Sequence, residues 1–247
     1  MKWICKFVNL RRINSLLKMK FASFDSLNQK SKPDYNPIVK RVFDETGLCF
    51  VHIPKNGGTS VEALAFDNMR VGHRTWSEWK SIGGENYEDW VKFCIVREPV
   101  ERFLSAYDYL HRGGRNPIDN EIGKRYVKPF NDVNAFTRSL ARKRKCSLMS
   151  YFHFIPQTEF ILDDDLCMVN KLLDFENFDV ELALLLNVGA PKIKHENKTR
   201  GKRTCRSALD STSLDILRRL YQKDFVLYEY RKNMSFVNDF FGEAIKS

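Results

Sequence analysis

The sequence lacks the cysteine spacing of a zinc site. Its six cysteines include no C-x-x-C pair, which argues against a structural zinc centre. They also form no pattern typical of a disulfide framework, so a reducing compartment is favoured, while the even count leaves one or two bridges open. Cys49 and Cys94 lie within apolar runs, where a cysteine usually behaves as a small buried hydrophobic residue.

Long uninterrupted apolar runs are also missing. The most apolar terminal stretch, MKWICKFVNLRRINSLLKMKF, is broken by Arg11 and Arg12 before it reaches the roughly 20 residues that span a bilayer. It has no small-residue cleavage site of the kind found in signal peptides. Two alternatives remain: an amphipathic helix that lies on a membrane or on the domain, and an unordered leader.

Acidic residues are in the minority. Lys and Arg number 41 against 31 Asp and Glu, which gives a formal net charge of +10. Such a surplus favours anionic partners, among them nucleic acid, nucleotides, acidic polysaccharide and anionic lipid, although a basic surface without a partner is the plain alternative. We expect no nucleic-acid partner, because the sequence contains no helix-turn-helix, zinc-finger or RNP-type pattern.

The chain divides into a terminal segment and one folded domain. Residues 22–40 are polar, contain two prolines and are interpreted as a linker, so residues 1–40 form an N-terminal basic segment with that linker. The folded domain is predicted to cover residues 41–247. A hydrophobic content of 43% is that of a globular protein, and this length favours a single core.

Apolar runs alternate with helical patterns along the domain. Strands are predicted at 48–53 (LCFVHI), 91–96 (VKFCIV) and 167–175. Helices are predicted from Thr59 with a hydroxyl N-cap, from Pro99 to Gly113–Gly114, and over 131–143, 177–187 and 212–223. This alternation predicts an α/β fold, a P-loop-like three-layer core in which helices flank a central parallel sheet.

Residues 54–60, PKNGGTS, directly follow the first predicted strand, at the sheet edge where α/β folds bind ligands. Glycines allow backbone N–H groups to approach an oxyanion, the helix N-terminus adds positive potential, and Lys55 adds a full charge. In nucleoside-triphosphate loops the lysine follows the glycines, whereas Lys55 precedes them, and no acidic residue ends the next strand to hold a metal. The loop therefore suits one phosphate-like group, and a purely structural turn is the alternative.

The segment VREPVERFLSAY, residues 96–107, follows the second predicted strand at the same edge. The fork of Arg97 and the hydroxyl of Ser105 can hold a second phosphate. The alternative is an ordinary helix N-terminus with a surface cluster of arginines and glutamates.

Together these segments resemble the sulfotransferases that use 3′-phosphoadenosine-5′-phosphosulfate (PAPS), and most of all the carbohydrate group related to heparan sulfate 2-O-sulfotransferases with its bacterial members. IPKNGGTSV resembles the 5′-phosphosulfate loop of these enzymes, and VREPVERFLSAY resembles their 3′-phosphate segment. Four further segments resemble that group: GHRTWSEW, HFIPQTEFI, LLDFENFDVELALLL and LYQKDFVLYEY. The resemblance therefore covers about residues 46–231. Glu98 departs from it, since many relatives carry asparagine there.

The resemblance implies a role for each matched residue. Lys55 would hydrogen-bond the oxygen that bridges phosphorus and sulfur, and Arg97 and Ser105 would bind the 3′-phosphate. The amides and hydroxyls of the loop would hold the 5′-phosphate; with Lys55 they complete the predicted cofactor-binding set of Lys55, Asn56, Gly57, Gly58, Thr59, Ser60, Arg97 and Ser105.

The acceptor hydroxyl needs a general base. Of the five histidines, His73 occupies the position of the catalytic histidine in the family that the sequence resembles. His73 and Lys55 are therefore the predicted catalytic pair. His153 is the second candidate base and Glu62 the third. His52 and His111 are interpreted as structural.

The predicted function is sulfonate transfer from PAPS to a carbohydrate hydroxyl by in-line displacement, with no metal required and 3′,5′-adenosine bisphosphate as product. The acceptor could be an anionic polysaccharide, and a non-carbohydrate acceptor such as a protein tyrosine is an alternative. A P-loop small-molecule kinase is the rival enzyme class. The cytoplasm is the favoured location, with the Golgi lumen as the alternative in a eukaryote.

Overall fold

The computed structural model describes residues 36–141, 148–187 and 203–234, and these ranges form a mixed α/β structure. The helices are α1 Pro37–Thr46, α2 Gly58–Ala65, α3 Trp76–Gly83, α4 Pro99–His111, α5 Pro117–Ile122, α6 Val133–Leu140, α7 Thr158–Ile161, α8 Phe178–Leu185, α9 Ser211–Leu220 and α10 Gln222–Asn233. The strands are β1 Leu48–Phe50, β2 Val91–Val96, β3 Leu162–Asp163, β4 Leu166–Cys167 and β5 Lys171–Asp174. Among these described helices, none has the length and apolarity to cross a bilayer.

Three of the strands form a parallel sheet in the order β1-β2-β5. Phe50 is paired with Phe93, and Val96 is paired with Asp174. In β2 every residue after Val91 is buried. Since successive side chains of a strand point to opposite faces, this continuous burial means that both faces of the central strand are covered, as in other parallel sheets.

The predicted strands are found with some changes of extent. Residues 91–96 form β2 as predicted, and β1 is the first half of the run 48–53. The single strand predicted at 167–175 is wrong, because only Lys171–Asp174 joins the sheet while Leu166–Cys167 pairs antiparallel with Leu162–Asp163 in a short hairpin. A continuous apolar run does not reveal where a chain changes partner strand, which explains the error.

Helix α1 begins inside the stretch that the sequence led us to interpret as a linker. Asn36 caps it, since its side-chain oxygen accepts a hydrogen bond from the Ile38 N–H at 3.0 Å, and Pro37 occupies the first turn. Phe43 is fully buried and its ring lies 4.9 Å from that of Trp79. The helix is therefore packed into the sheet's core. Residues 1–35 of the predicted terminal segment lie outside the described residues.

Two apolar clusters support the sheet edge. The first surrounds the sheet and includes Phe50, Phe93 and Leu173. The second lies among α4, α6 and α9 and includes Phe103, Phe136 and Leu217. Ile155 packs against both. Because α4 carries the residues that follow β2, the second cluster fixes the position of that helix over the edge of the sheet.

Helix α4 has the boundaries that its sequence predicts. Pro99 stands in its first turn, and its predicted apolar face is buried. Gly113 and Gly114 follow the helix with φ of 99° and 64°, and the Gly114 N–H donates to the Tyr109 carbonyl at 2.9 Å. Such positive φ values favour glycine, so this pair ends the helix as predicted.

A buried ion pair joins α8 to α10. The Arg231 guanidinium donates to Glu181 Oε1, and Glu181 Oε2 accepts from the Asp174 N–H at 2.6 Å at the end of β5. Both side chains are less than one tenth exposed. Glu181 therefore satisfies a buried arginine and a strand terminus together.

We expect Glu181→Leu to lower the free energy of unfolding by about 3–5 kcal/mol, because the buried Arg231 guanidinium would lose the carboxylate charge of Glu181. Denaturant titration followed by circular dichroism measures this change. Asp215→Ala is the control, since it breaks the exposed Asp215–Arg218 pair and should leave the midpoint unchanged. Equal shifts in the two variants would contradict the assigned role of Glu181.

Candidate functional site

The loop after β1 turns sharply into α2. Lys55 and Gly57 have φ of 71° and 79°, and Gly57 is the N-cap of the helix. The predicted hydroxyl N-cap is wrong, since no side chain caps this helix and Thr59 lies inside its first turn. Backbone N–H groups at the helix start are thus left without a side-chain acceptor, which is the arrangement that an anion can complete.

Gly58 is required by packing as well as by its place in the loop. A Cβ atom at this position would lie 2.0 Å from Nε2 of His52, a buried ring. His52 is held in turn by Glu62, whose Oε1 lies 3.1 Å from His52 Nδ1. The loop can therefore approach His52, two residues after β1, only because residue 58 has no side chain.

The Lys55 ammonium points at an aromatic ring. Its Nζ lies 4.1 Å from the ring centroid of Tyr109 on α4, which is cation–π distance. Burial, together with the positive charges of Arg97 and Arg115, lowers the pKa of Lys55 to about 7. A lysine in this state gains a proton when an anion binds beside it.

Arg97 and Arg102 reach back to the loop that carries Lys55. Arg97 Nη1 donates to the Lys55 carbonyl at 2.9 Å, and Arg102 Nε donates to the Pro54 carbonyl at 3.0 Å. The guanidinium carbon of Arg97 also lies 4.2 Å from the ring centroid of Phe175, just after β5. The carboxyl ends of all three sheet strands thus meet at this site, as the parallel sheet predicts.

These cations have few charge partners. Among the described residues, no carboxylate forms a salt bridge with Lys55, Arg97 or Arg102. Arg97 Nε and Arg102 Nη2 are buried without a hydrogen-bond partner in the same part of the chain. Burial lowers the pKa of Arg97 to about 10; the charge of Glu101 opposes this shift, and that of Arg203 adds to it. Unpaired donors and clustered positive charge fit an anionic ligand.

Ser105 lies on the same face of α4 as Arg102 and Tyr109, at spacings of three and four residues. Its side chain is partly exposed. The helix therefore brings the predicted 3′-phosphate hydroxyl and the aromatic partner of Lys55 to one side. Glu98, the departure from the resembling family, serves as the helix cap, since its Oε2 accepts from the Glu101 N–H at 2.7 Å.

Asn56 is directed away from the predicted nucleotide. Its Nδ2 donates to the Ile95 carbonyl and to Gln157 Oε1, both at 2.6 Å, and the residue is buried. Its side chain fastens the loop to the end of β2. Any contact of Asn56 with a phosphate would come from its backbone N–H.

His73 is held by one hydrogen bond with a fixed direction. Its Nδ1 lies 3.1 Å from the backbone carbonyl of His52. Since a carbonyl oxygen only accepts, Nδ1 carries the proton and Nε2 of a neutral ring keeps its lone pair. Burial and the charges of His52 and His153 keep the pKa of His73 well below its usual value, so the ring is neutral near pH 7. Both properties are those of a general base.

The other candidate bases are more enclosed. His153 is 6% exposed, its Nε2 lies 3.4 Å from Asp119 Oδ1, and burial lowers its pKa to about 4. Glu62 is 2% exposed and its carboxylate is engaged by His52, Arg70 and the Val71 N–H. Of these three candidates, His73 is the one whose side chain is partly exposed and therefore open to an acceptor.

The sequence did not indicate three of the site residues, Arg102, Tyr109 and Asp119. Tyr109 lies under Lys55, and its hydroxyl donates to Asp119 Oδ2 at 2.6 Å. Burial raises the pKa of Asp119, but hydrogen bonds from His153, Tyr109 and Tyr151 outweigh it and hold the pKa below its usual value. The spacing of Tyr109 from Ser105 on one helix face was the available signal; nothing local pointed to Asp119.

A family model described as "Sulfotransferase family" matches residues 40–231, more than three quarters of the chain. No curated protein gave a significant match, and neither did any solved structure. The matched range contains the loop after β1, Arg97, Ser105, His73 and the three strands that bring them together. The chain therefore belongs to the sulfotransferase family.

Proposed function

We propose that this sulfotransferase takes its sulfonate from PAPS and transfers it to a hydroxyl of a carbohydrate acceptor by in-line displacement. The single observation that supports it most is the group of buried cations at the sheet edge, Lys55, Arg97 and Arg102, which form no salt bridge with a described carboxylate and keep two donor atoms without a partner. When bound, PAPS supplies the activated sulfonate. Its two phosphorylated positions match two anion-binding segments on neighbouring strand ends.

The residues present fit the donor. The start of α2 offers backbone N–H groups without a side-chain cap, where Gly57, Gly58, Thr59 and Ser60 would hold the 5′-phosphate. Arg97 Nε is a buried donor without a partner in the described chain, and with Ser105 it would hold the 3′-phosphate. The Ser60 N–H already donates to the Gly57 carbonyl at 2.9 Å, so Ser60 would contribute its hydroxyl.

The proton of the acceptor hydroxyl would pass to His73 Nε2. The hydrogen bond from Nδ1–H to the His52 carbonyl holds the ring in the tautomer that can accept it. As the proton arrives the ring becomes cationic, and the same carbonyl stabilises the charge on Nδ1–H. His73 is thus both oriented and electrostatically supported by one backbone group.

Lys55 would stabilise negative charge on the leaving phosphate oxygen. Its ammonium has no salt-bridge partner among the described residues and rests on the Tyr109 ring. A cation–π contact holds the charge without cancelling it, so the ammonium stays available for an oxygen on which charge develops.

The acceptor proposed is a carbohydrate, and an anionic polysaccharide suits the surplus of positive charge best. The test is incubation with radiolabelled PAPS and separate capsular, glycosaminoglycan, neutral-sugar and tyrosine-peptide acceptors. We expect label on a polysaccharide. Label on the tyrosine peptide alone would contradict the carbohydrate assignment while leaving sulfonate transfer intact.

His73→Ala should leave nucleotide affinity unchanged and lower kcat by about a hundredfold to ten-thousandfold, because only the proton acceptor is lost. Isothermal titration with 3′,5′-adenosine bisphosphate and a turnover assay measure the two effects. His111→Ala, at the exposed end of α4, is the matched control and should turn over normally. Near-normal turnover in His73→Ala would show that another group is the base.

Nucleotide affinity should fall as pH rises above about 7. The pKa of Lys55 is lowered to about 7 in the free protein, and a bound phosphate raises it, so binding takes up a proton at higher pH. Below this pKa the lysine is already charged, so its titration no longer makes nucleotide affinity depend on pH. Titrations between about pH 7.5 and about pH 9 should show the dissociation constant increasing by up to about tenfold per pH unit.

Lys55→Arg tests that assignment, because a guanidinium stays protonated throughout this range. The variant should bind with an affinity that no longer depends on pH. If wild type and Lys55→Arg had the same pH profile, the titrating group would not be Lys55.

A further inference from the structure

One buried carboxamide hydrogen-bonds with both anion-binding segments. Gln157, fully buried just before α7, accepts through Oε1 from Asn56 Nδ2 at 2.6 Å and from the Arg97 N–H at 3.0 Å. Its Nε2 donates to the Arg97 carbonyl at 2.9 Å. The loop after β1 and the first residue after β2 are thereby joined through one side chain.

Gln157 is itself fixed by a residue on α10. The buried carboxylate of Asp224 accepts from the Gln157 N–H at 2.8 Å and from the N–H and hydroxyl of Thr158, each at 3.0 Å. Three hydrogen bonds to one carboxylate leave the Gln157 backbone little freedom. Two segments that the sequence marked without giving them a role, HFIPQTEFI and LYQKDFVLYEY, meet in this contact.

The distance between the Lys55 loop and Arg97 determines how much affinity a ligand gains by binding to both. A nucleotide with phosphates at its 3′ and 5′ positions has a limited span, so the second contact is strongest when both groups are already held at that span. If the two segments move relative to each other, part of the binding free energy of the second phosphate is lost because the segments must be ordered. A nucleotide with one phosphate binds one segment only, so its affinity does not include this loss.

We propose that Gln157 is the positioning residue that fixes the spacing of the Lys55 loop and Arg97, so that one bisphosphorylated nucleotide fills both segments. The inference rests on the proposed function. Gln157 acts through Asn56 and Arg97 and makes no contact with the reacting atoms.

The test compares dissociation constants for adenosine 5′-monophosphate and 3′,5′-adenosine bisphosphate. The constant for the monophosphate divided by the constant for the bisphosphate measures how much affinity the 3′-phosphate adds. Gln157→Met keeps the length of the side chain and removes its three hydrogen bonds, and it should lower this ratio by about tenfold or more. Affinity for the monophosphate should change much less.

Tyr221→Phe is the matched control. Its hydroxyl donates to the Phe154 carbonyl at 2.8 Å, so the variant loses a buried hydrogen bond close in sequence to Gln157, keeps the ring, and leaves the hydrogen bonds of Asn56 and Arg97 in place. It should lower the melting temperature and leave the ratio unchanged. If Gln157→Met alters the ratio no more than Tyr221→Phe does, Gln157 is merely structural and the proposal is wrong.

Should Gln157→Met fail to fold, Asn56→Ala cuts the same connection from the loop side. The ratio should fall here too, and an unchanged ratio would overturn the proposal. A wild-type protein that binds neither nucleotide would instead overturn the proposed function together with this inference, a result that differs from an altered ratio.

Discussion

Lys55, Arg97 and Arg102 are held together in a largely buried site, and their charges repel one another. Burial disfavours the charged form of each, as the lowered pKa values of the first two show. Carbonyls of the Lys55 loop accept hydrogen bonds from both arginines, so the repulsion is offset without a salt bridge to a described carboxylate. The protein therefore keeps net positive charge at the sheet edge, and an anionic ligand relieves the repulsion that folding leaves.

Around this site, polar contacts replace the carboxylates that would normally neutralise cations. Gln157 and Asn56 are neutral amides that join the two segments. Asp224 lies behind Gln157 and accepts hydrogen bonds from the backbone N–H groups of Gln157 and Thr158. The Tyr109 ring supports Lys55 without cancelling its charge. His52 packs against Gly58 so closely that no Cβ fits there, and the backbone carbonyl of His52 accepts the hydrogen bond from His73. The residues that we propose for donor binding, leaving-group stabilisation and proton transfer thus depend on one set of fixed backbone positions.

The sequence predicted the parts of this arrangement that depend on local pattern. The run 91–96 is apolar throughout because β2 is covered on both faces, and strand–helix alternation brought the Lys55 loop and Arg97 to one edge. Helix α1 was missed because only Val39 and Phe43 are buried in it, and its first residues belong to a polar stretch with two prolines. The contact of Tyr109 with Lys55 and the link through Gln157 join residues far apart in the chain, so they depend on tertiary packing that no local pattern encodes.

We propose that the site binds a nucleotide with two separate phosphorylated positions and not a metal-bound triphosphate. Isothermal titration of the purified protein with 3′,5′-adenosine bisphosphate in the absence of metal, and with ATP plus Mg²⁺, tests it most directly. We predict saturable binding of the bisphosphate and much weaker binding of ATP with Mg²⁺. Tight binding of ATP with Mg²⁺ and none of the bisphosphate would contradict the account and favour a kinase.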